Sequence, residues 1–375
     1  MPAGPLVMSV ALPFCGDLHA CIIGRAPLLL DGGESSVVVS CPVGGRLGAP
    51  RGKIEALVVA PRRLRETGPM SRPWAADVEL TAREAALLVE RQFPDLAPAR
   101  LELLGVGWDN VAWLVNRRFV FRFPRRQVAA GLLEREARIL PLLAPRLPLR
   151  IPAPEYVGAP TPKYPYVFAG YPLIPGRTAD RWPWSDEARA ALAPALALFL
   201  AALHRIPIDA ATLEWAPRDE IARTDVRGRA PRVKERIAAN AAGLDARDVR
   251  ALLALVDELA TRAGSVGAPC WVHGDFYARH LVLTPARRLA GVIDWGDVHV
   301  GDPALDLSIA FSFLPPAARH GFRRVYGAID DATWERARFR AIHYGALLVE
   351  YGADQADAAI RAVGEYALRC APVDG

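Results

Sequence analysis

From Leu101 onward, apolar and polar positions alternate with a short period. Leu101–Val106 and Val111–Val115 read as strands on either side of a hairpin-like turn, Gly107-Trp108-Asp109-Asn110. Arg118–Phe123 reads as a third strand running into Pro124. The period then lengthens: Ala129–Leu140 predicts a helix stopped by Pro141. Six prolines from Pro148 to Pro165 mark a loop, and Tyr164–Leu173 predicts a further strand. Upstream, Thr81-Ala82-Arg83-Glu84 has the form of a capping box ahead of an amphipathic helix, Ala85–Phe93. Beyond Ser185 helices dominate: Glu187–His204, Pro231–Ala242, Ala246–Ala263, Pro316–Tyr326 and Thr333–Gly352. Two short strands, Leu281–Thr284 and Leu289–Asp294, lie between them. A small antiparallel sheet with one helix, followed by a helical segment, predicts an α+β chain of two lobes with a ligand cleft between them.

The first 69 residues break this pattern. Gly and Pro make up 18 of them, against 45 of the remaining 306, and no helical or strand period is sustained. Leu6–Phe14 is apolar, but no Lys or Arg precedes it, and Pro13-Phe14-Cys15 suits neither signal cleavage nor lipidation. Gly48-Ala49-Pro50-Arg51-Gly52-Lys53 is a failed P-loop, one residue short between its glycines and followed by Ile54 instead of Ser or Thr. Residues 1–69 are expected to be a disordered extension, with Met70 as the natural start. The N-terminal lobe is then expected over 70–172 and the helical lobe over 173–375.

Length and composition narrow the class. At 375 residues the chain holds two or three folding units, each able to bury a core. Its net charge is +5, but the basic residues are scattered among acids and only Lys53, Lys163 and Lys234 are lysines. This speaks against nucleic-acid binding. Arg and Pro interrupt the longest apolar stretch, Ala188–Leu203, which is shorter than the ~20 residues that span a bilayer, so no membrane role is expected. Five cysteines without a CxxC pair predict neither a disulfide framework nor a zinc site, and point to reduced thiols in the cytoplasm.

One region carries chemistry. It comprises Trp271–Leu283, with His273-Gly274-Asp275 and His280; Gly291–Asp297, with Asp294 at a strand end; and Gly301–Leu307, with Asp306. A carboxylate in a tight turn, a possible metal ligand five residues later and a second carboxylate nineteen residues on suit phosphoryl transfer. One carboxylate orients and deprotonates an attacking hydroxyl while the other holds magnesium on nucleotide phosphates.

Here the chain resembles the aminoglycoside and macrolide phosphotransferase family, a branch of the protein-kinase-like fold that also holds choline-kinase-like small-molecule kinases. The resemblance covers about 95–355. It includes Leu104–Val111, Val120–Arg125, Glu134–Glu136, Tyr171–Gly176 and Leu203-His204 in family order. It implies Asp275 as the catalytic base, Asp294 as the Mg2+ ligand, and ATP or GTP as donor. Gly105 and Gly107 would lie over the nucleotide phosphates, and the backbone of Leu173 and Ile174 would meet the purine. Arg122 stands where the family usually has a phosphate-gripping lysine, with Glu136 as its partner. A guanidinium grips phosphate as a fork, an ammonium as a point charge.

His280 stands where most of the family has a metal-binding Asn. Imidazole suits magnesium poorly, so His280 is either a metal ligand or a donor to a phosphate oxygen. The macrolide branch shows a similar His-Gly-Asp-x4-His pattern. Asp306 and His273 are implied to anchor the catalytic turn, while Asp297 and Asp302 are loop caps or face the substrate.

The acceptor is expected to be a small hydroxylated molecule, with no protein partner evident. Residues 316–352 hold four acids (Asp330, Asp331, Glu335, Glu350) and six arginines (Arg319, Arg323, Arg324, Arg336, Arg338, Arg340). That balance suits a macrolide better than a polycationic aminoglycoside. Trp182-Pro183-Trp184 is the expected apolar lining. A protein-kinase role is disfavoured by the short stretch from Asp294 to Asp306. A kinase-fold nucleotide-binding or regulatory protein without transfer remains the alternative, kept open by Arg122 and His280.

Overall fold

Five strands form the first lobe: β1 (Leu101–Val106), β2 (Asn110–Val115), β3 (Phe119–Pro124), β4 (Tyr156–Gly158) and β5 (Phe168–Pro172). They pair antiparallel in the order β1-β2-β3-β5-β4. The computed structural model describes residues 77–107, 109–240 and 245–374. The expected extension over 1–69 and the Met70 start lie outside them. Helix α1 (Ala82–Gln92) opens with the capping box read from the sequence: Glu84 N donates to Thr81 Oγ1 at 3.3 Å, and Thr81 N donates to the Glu84 carboxylate at 2.9 Å.

Strand β3 sorts its side chains by the two-residue period of a pleated strand. Phe119, Phe121 and Phe123 join Phe168, Tyr164 and Trp113 in the sheet's core, where Phe123 stacks on Phe168 with ring centroids 4.8 Å apart. Each ring this deeply buried contributes roughly 1.5–3 kcal/mol. Arg122, between two of them in sequence, lies on the opposite face toward α2 (Gln127–Leu143). There Leu133 packs with Ala169 and Tyr171, and Glu136, one turn later, is fully buried.

Several boundaries differ from the sequence reading. Pro141 does not stop α2, which runs on to Leu143. In the last turn a proline forfeits one bond, to the Ala137 carbonyl, and the burial of Ile139, Leu140 and Leu143 outweighs it. The Glu187–His204 helix is two, α3 (Asp186–Ala190) and α4 (Ala193–His204), because Pro194 cannot donate back to Ala190. The expected strand Tyr164–Leu173 shortens to β5. After α5 (Ala210–Trp215), α6 (Val226–Ala239) begins five residues ahead of Pro231; Asp225 caps it, and Val226, Ala230, Val233 and Ile237 bury one stripe.

The second lobe continues with α7 (Ala246–Arg262), α8 (Ala304–Leu307), α9 (Ile309–Ser312), α10 (Arg319–Tyr326), α11 (Asp331–Asp354) and α12 (Ala358–Cys370). By length and composition Asp186–His204 could cross a membrane. In this fold Leu196, Phe199, Leu200 and Leu203 are fully buried in the helical core. Two small sheets carry the loops of interest. Strand β7 (Cys270–Val272) pairs with β10 (His299–Gly301), and β8 (Leu281–Leu283) lies between β6 (Arg177–Thr178) and β9 (Leu289–Val292).

Candidate active site

The chain leaves β7 into His273-Gly274-Asp275. Gly274 has φ +84°, and a Cβ there would lie 2.4 Å from the Asp297 carbonyl oxygen, so only glycine makes this turn without strain. Asp306, at the start of the helical return, accepts from the amides of His273 (2.7 Å) and Gly274 (3.0 Å). It also accepts from His204 Nε2 at 3.2 Å, and the other nitrogen of that ring accepts from the Tyr326 hydroxyl at 2.8 Å. Burial alone would push the Asp306 carboxyl up, but the hydrogen bonds it accepts from His204 and the turn amides hold it below the usual carboxylate range. His273 accepts the Asp275 amide at Nδ1 (3.2 Å) and donates from Nε2 to the Ile293 carbonyl (3.0 Å). Burial, with His280 beside it, depresses its pKa to about 4, so the ring is neutral.

Asp275 is buried. One carboxylate oxygen, Oδ1, accepts the Tyr344 hydroxyl from α11; the other, Oδ2, is buried without a hydrogen-bond partner. Burial raises the Asp275 pKa, with the Tyr344 hydrogen bond and the Arg340 charge opposing it. His280 donates from Nδ1 to the Asp275 carbonyl at 2.7 Å, and burial depresses its pKa to about 3. A neutral ring that donates at Nδ1 leaves a bare lone pair at Nε2. That nitrogen faces Asp294 Oδ2 at 3.4 Å and makes no hydrogen bond.

Asp294 follows β9 in a left-handed conformation, φ +66°, uncommon for a residue with a side chain. Neither of its carboxylate oxygens has a hydrogen-bond partner, and burial raises its pKa well above the ordinary value despite Arg122 nearby. Asp294, His280 and Asp275 thus leave four buried acceptor atoms unsatisfied in one place. Among the described residues no three His, Cys, Asp or Glu side chains converge as a metal cage. Magnesium does not need one: one or two carboxylates suffice where phosphates and water complete the octahedron. The bare oxygens of Asp294 fit it.

Arg122 reaches this place from the sheet. Its Nη1 donates to both Glu136 oxygens, at 2.8 and 3.0 Å, while Nη2 lies 3.9 Å from Asp294 Oδ1. Burial opposes its charge, but Glu136 more than compensates, so the guanidinium stays protonated.

The other expected nucleotide residues are placed unevenly. Gly105 lies at a register shift in the β1–β2 pairing. Gly107 closes the hairpin through its amide to Asn110 (2.9 Å), and its carbonyl accepts Arg125. The Leu173 amide is already spent on the Arg118 carbonyl at 2.8 Å, extending the β3–β5 ladder. That N–H is committed to the sheet, which leaves the Leu173 carbonyl and the backbone of Ile174 as the groups the expectation rests on. Ile174 is buried.

The structure also separates the acids left open by the sequence. Asp302 caps Ala304 and pairs with Arg336 (2.7 Å), a structural role, while Asp297 pairs with Arg223 (2.6 Å), which also holds Asp219. The expected aromatic lining is used for packing. The Trp184 indole N–H donates to the Ala179 carbonyl at 2.6 Å and its ring packs edge-on against Phe313. Trp182 sits between Arg177 and Arg287, and Phe311, Phe313 and Tyr326 are core. Tyr344, Arg340 and Arg223 were not readable as site residues, because only the folding of α11 and the segment before α6 against the turn brings them there.

A strand-built lobe supplying Arg122 and Glu136, set against a helical lobe supplying a turn-borne and a strand-end carboxylate, defines a phosphotransferase of protein-kinase-like build. Residues 100–340 match the phosphotransferase enzyme family, and the chain belongs to it. Its fold is similar to that of a wild-type aminoglycoside 2'-phosphotransferase-IIIa in complex with GDP (TM-score 0.58, 24% identity, 78% of this chain and 99% of the other). It is also similar to macrolide 2'-phosphotransferase type I (TM-score 0.52, 21% identity, 77% and 98%). A macrolide 2'-phosphotransferase from Brachybacterium faecium gives a TM-score of 0.51 at 22% identity, covering 76% and 96%.

Proposed function

We propose that this protein transfers the γ-phosphoryl group of ATP or GTP to a hydroxyl of a small molecule. The reading rests on one observation: the buried, unpartnered oxygens of Asp275 and Asp294 share one place with a bare His280 nitrogen. Asp275 Oδ2 orients the acceptor hydroxyl and takes its proton as the oxygen–phosphorus bond forms and the nucleoside diphosphate leaves. Arg122, held by Glu136, grips phosphate oxygens through the donors that Glu136 leaves free. Asp294 holds Mg2+, with His280 as its neighbour, and the ion supplies charge neutralisation on the phosphates. The left-handed turn at Asp294 supports this role, since strained backbone gathers at such sites.

The intact Arg122–Glu136 pair argues against a chain that has lost transfer. Of the antibiotic classes named for the similar structures, aminoglycosides, with several ammonium groups, suit the arginine-bearing α11 poorly. The lobes divide at Pro172. Transfer from ATP and from GTP with magnesium should be measured on macrolides, aminoglycosides and simple amino alcohols. Asp275→Asn should lower kcat at least ~100-fold while nucleotide affinity holds. Equal turnover by wild type and variant would refute the assignment.

A further inference from the structure

One buried cation near the catalytic turn has no direct ion-pair or hydrogen-bond partner among the described residues. Arg340, on α11, is 5% exposed, and among the described residues it makes no ion pair or hydrogen bond. Its guanidinium lies over the Tyr344 ring, 4.5 Å from the centroid, and Tyr344 in turn donates to Asp275. A turn-length away, His343 is 3% exposed with Nδ1 unpartnered.

Several further arginines stand close to Arg340. Helix α6 packs against α11, and its Arg229, Arg232 and Arg236 stand three and four residues apart, a spacing that puts them on one helix face. Burial first, and then Arg340 with these three, disfavour a charge on His343. Arg229 donates to the Ile221 and Ala222 carbonyls, and Arg236 pairs with Glu350, so both are held in place. Arg223 is neutralised by Asp219 and Asp297, and Asp275 and Asp297 act on Arg340 only from beyond ion-pair distance.

An unpaired buried guanidinium among like charges is costly, and such a group is ordinarily paired. The arrangement makes sense if the partner arrives with the substrate. A planar fork of donors also matches the geometry of a carboxylate or phosphate.

We infer that the acceptor is an anion: a hydroxylated small molecule whose carboxylate or phosphate group binds Arg340 while its hydroxyl meets Asp275. This rests on the phosphotransferase reading and narrows its substrate class. It excludes polyamine acceptors, whose ammonium groups would meet Arg340 and its like-charged neighbours.

The test uses matched acceptors that differ in charge on one skeleton: glucose, glucosamine, glucuronate and glucose 6-phosphate, then glycerol, serinol, glycerate and glycerol 3-phosphate. Transfer is measured with magnesium and ATP or GTP, and binding by calorimetry with ADP present. One anionic class should be favoured at least ~10-fold over its neutral and cationic counterparts in kcat/KM or affinity. The carboxylate and phosphate arms decide which. Arg340→Gln should remove that preference through KM and leave nucleotide KM within about twofold. Arg340→Lys should restore part of it.

Because the substitution removes an unpaired buried charge, the melting temperature of Arg340→Gln should hold or rise; a clear fall would mark Arg340 as structural and overturn the inference. Preference for neutral or cationic members, or an equal loss of kcat on every acceptor, would also overturn it while leaving the phosphotransferase reading intact. If no anionic member is turned over or bound, the inference fails. Absence of transfer to every compound, macrolides and aminoglycosides included, would count against the parent reading as well.

Discussion

His280 gives its Nδ1 proton to the main-chain carbonyl of Asp275 and so turns a bare Nε2 toward Asp294 Oδ2, 3.4 Å away. The imidazole lone pair and the carboxylate oxygen converge on one point. A nitrogen–oxygen pair of this kind suits a divalent ion softer than magnesium, such as manganese. His280→Asn substitutes an amide oxygen, which magnesium prefers. The ratio of manganese- to magnesium-supported kcat/KM should fall by at least about threefold in the variant, and manganese affinity, read from the free-ion paramagnetic resonance signal, should fall with it. An unchanged ratio would place His280 away from the metal.

Glu136 is the fully buried anchor of Arg122. Glu136→Gln leaves the guanidinium without its counter-charge, and removing one partner of a buried pair typically costs about 3–5 kcal/mol. Thermal unfolding should detect this as a lowered Tm, and nucleotide KM should rise roughly tenfold as the fork loses its aim. Arg122→Lys should keep the fold and lose affinity, because a single point charge replaces the fork that reaches Glu136 and Asp294 from two nitrogens.

Tyr344 fixes the carboxylate it touches. In Tyr344→Phe the Asp275 side chain loses its only hydrogen-bond donor among the described residues. A hydrogen bond to a charged group is worth about 1.5–3 kcal/mol, so kcat should fall roughly tenfold or more with nucleotide KM little changed. Steady-state kinetics with the nucleotide varied will separate the two.

Asp306 has a folded-state pKa below its unfolded one. Its contribution to stability is therefore complete above the ordinary carboxylate value, near 4, and is lost as pH falls through the depressed folded value. Asp306→Asn should be less stable than wild type at neutral pH, and the gap should narrow toward acid. Urea midpoints between pH 3 and 7 will show it; a gap that stays constant would mean the charge of Asp306 contributes nothing.

Local signals made much of the fold readable. The three strands around the Gly107 turn and the capping box at Thr81 follow from neighbours within a few residues. The order of Asp275, His280 and Asp294 along the chain was equally plain. Contacts made at long range were not. Tyr344 is 69 residues from Asp275, and no periodicity links them. Strands β7 and β10 have three residues each, too few for a pattern. Helix α12 contains Gly364, which weakens a helical reading, yet that glycine is where α12 crosses α11: a Cβ on it would meet the Gly345 carbonyl at 2.5 Å. Prolines 141 and 231 misled because a helix with enough buried face tolerates losing one bond.

The fastening of the catalytic turn by Asp306 bears on protein engineering. His273 and Gly274 hang from a side chain 33 and 32 residues downstream, itself steadied by His204 on α4. The turn is therefore not a portable module. A chimera carrying only residues 271–283 into another scaffold would import Asp275 without its peg. A workable transplant has to bring α4, the turn and the Asp306 helix together, which amounts to borrowing the whole floor of the helical lobe.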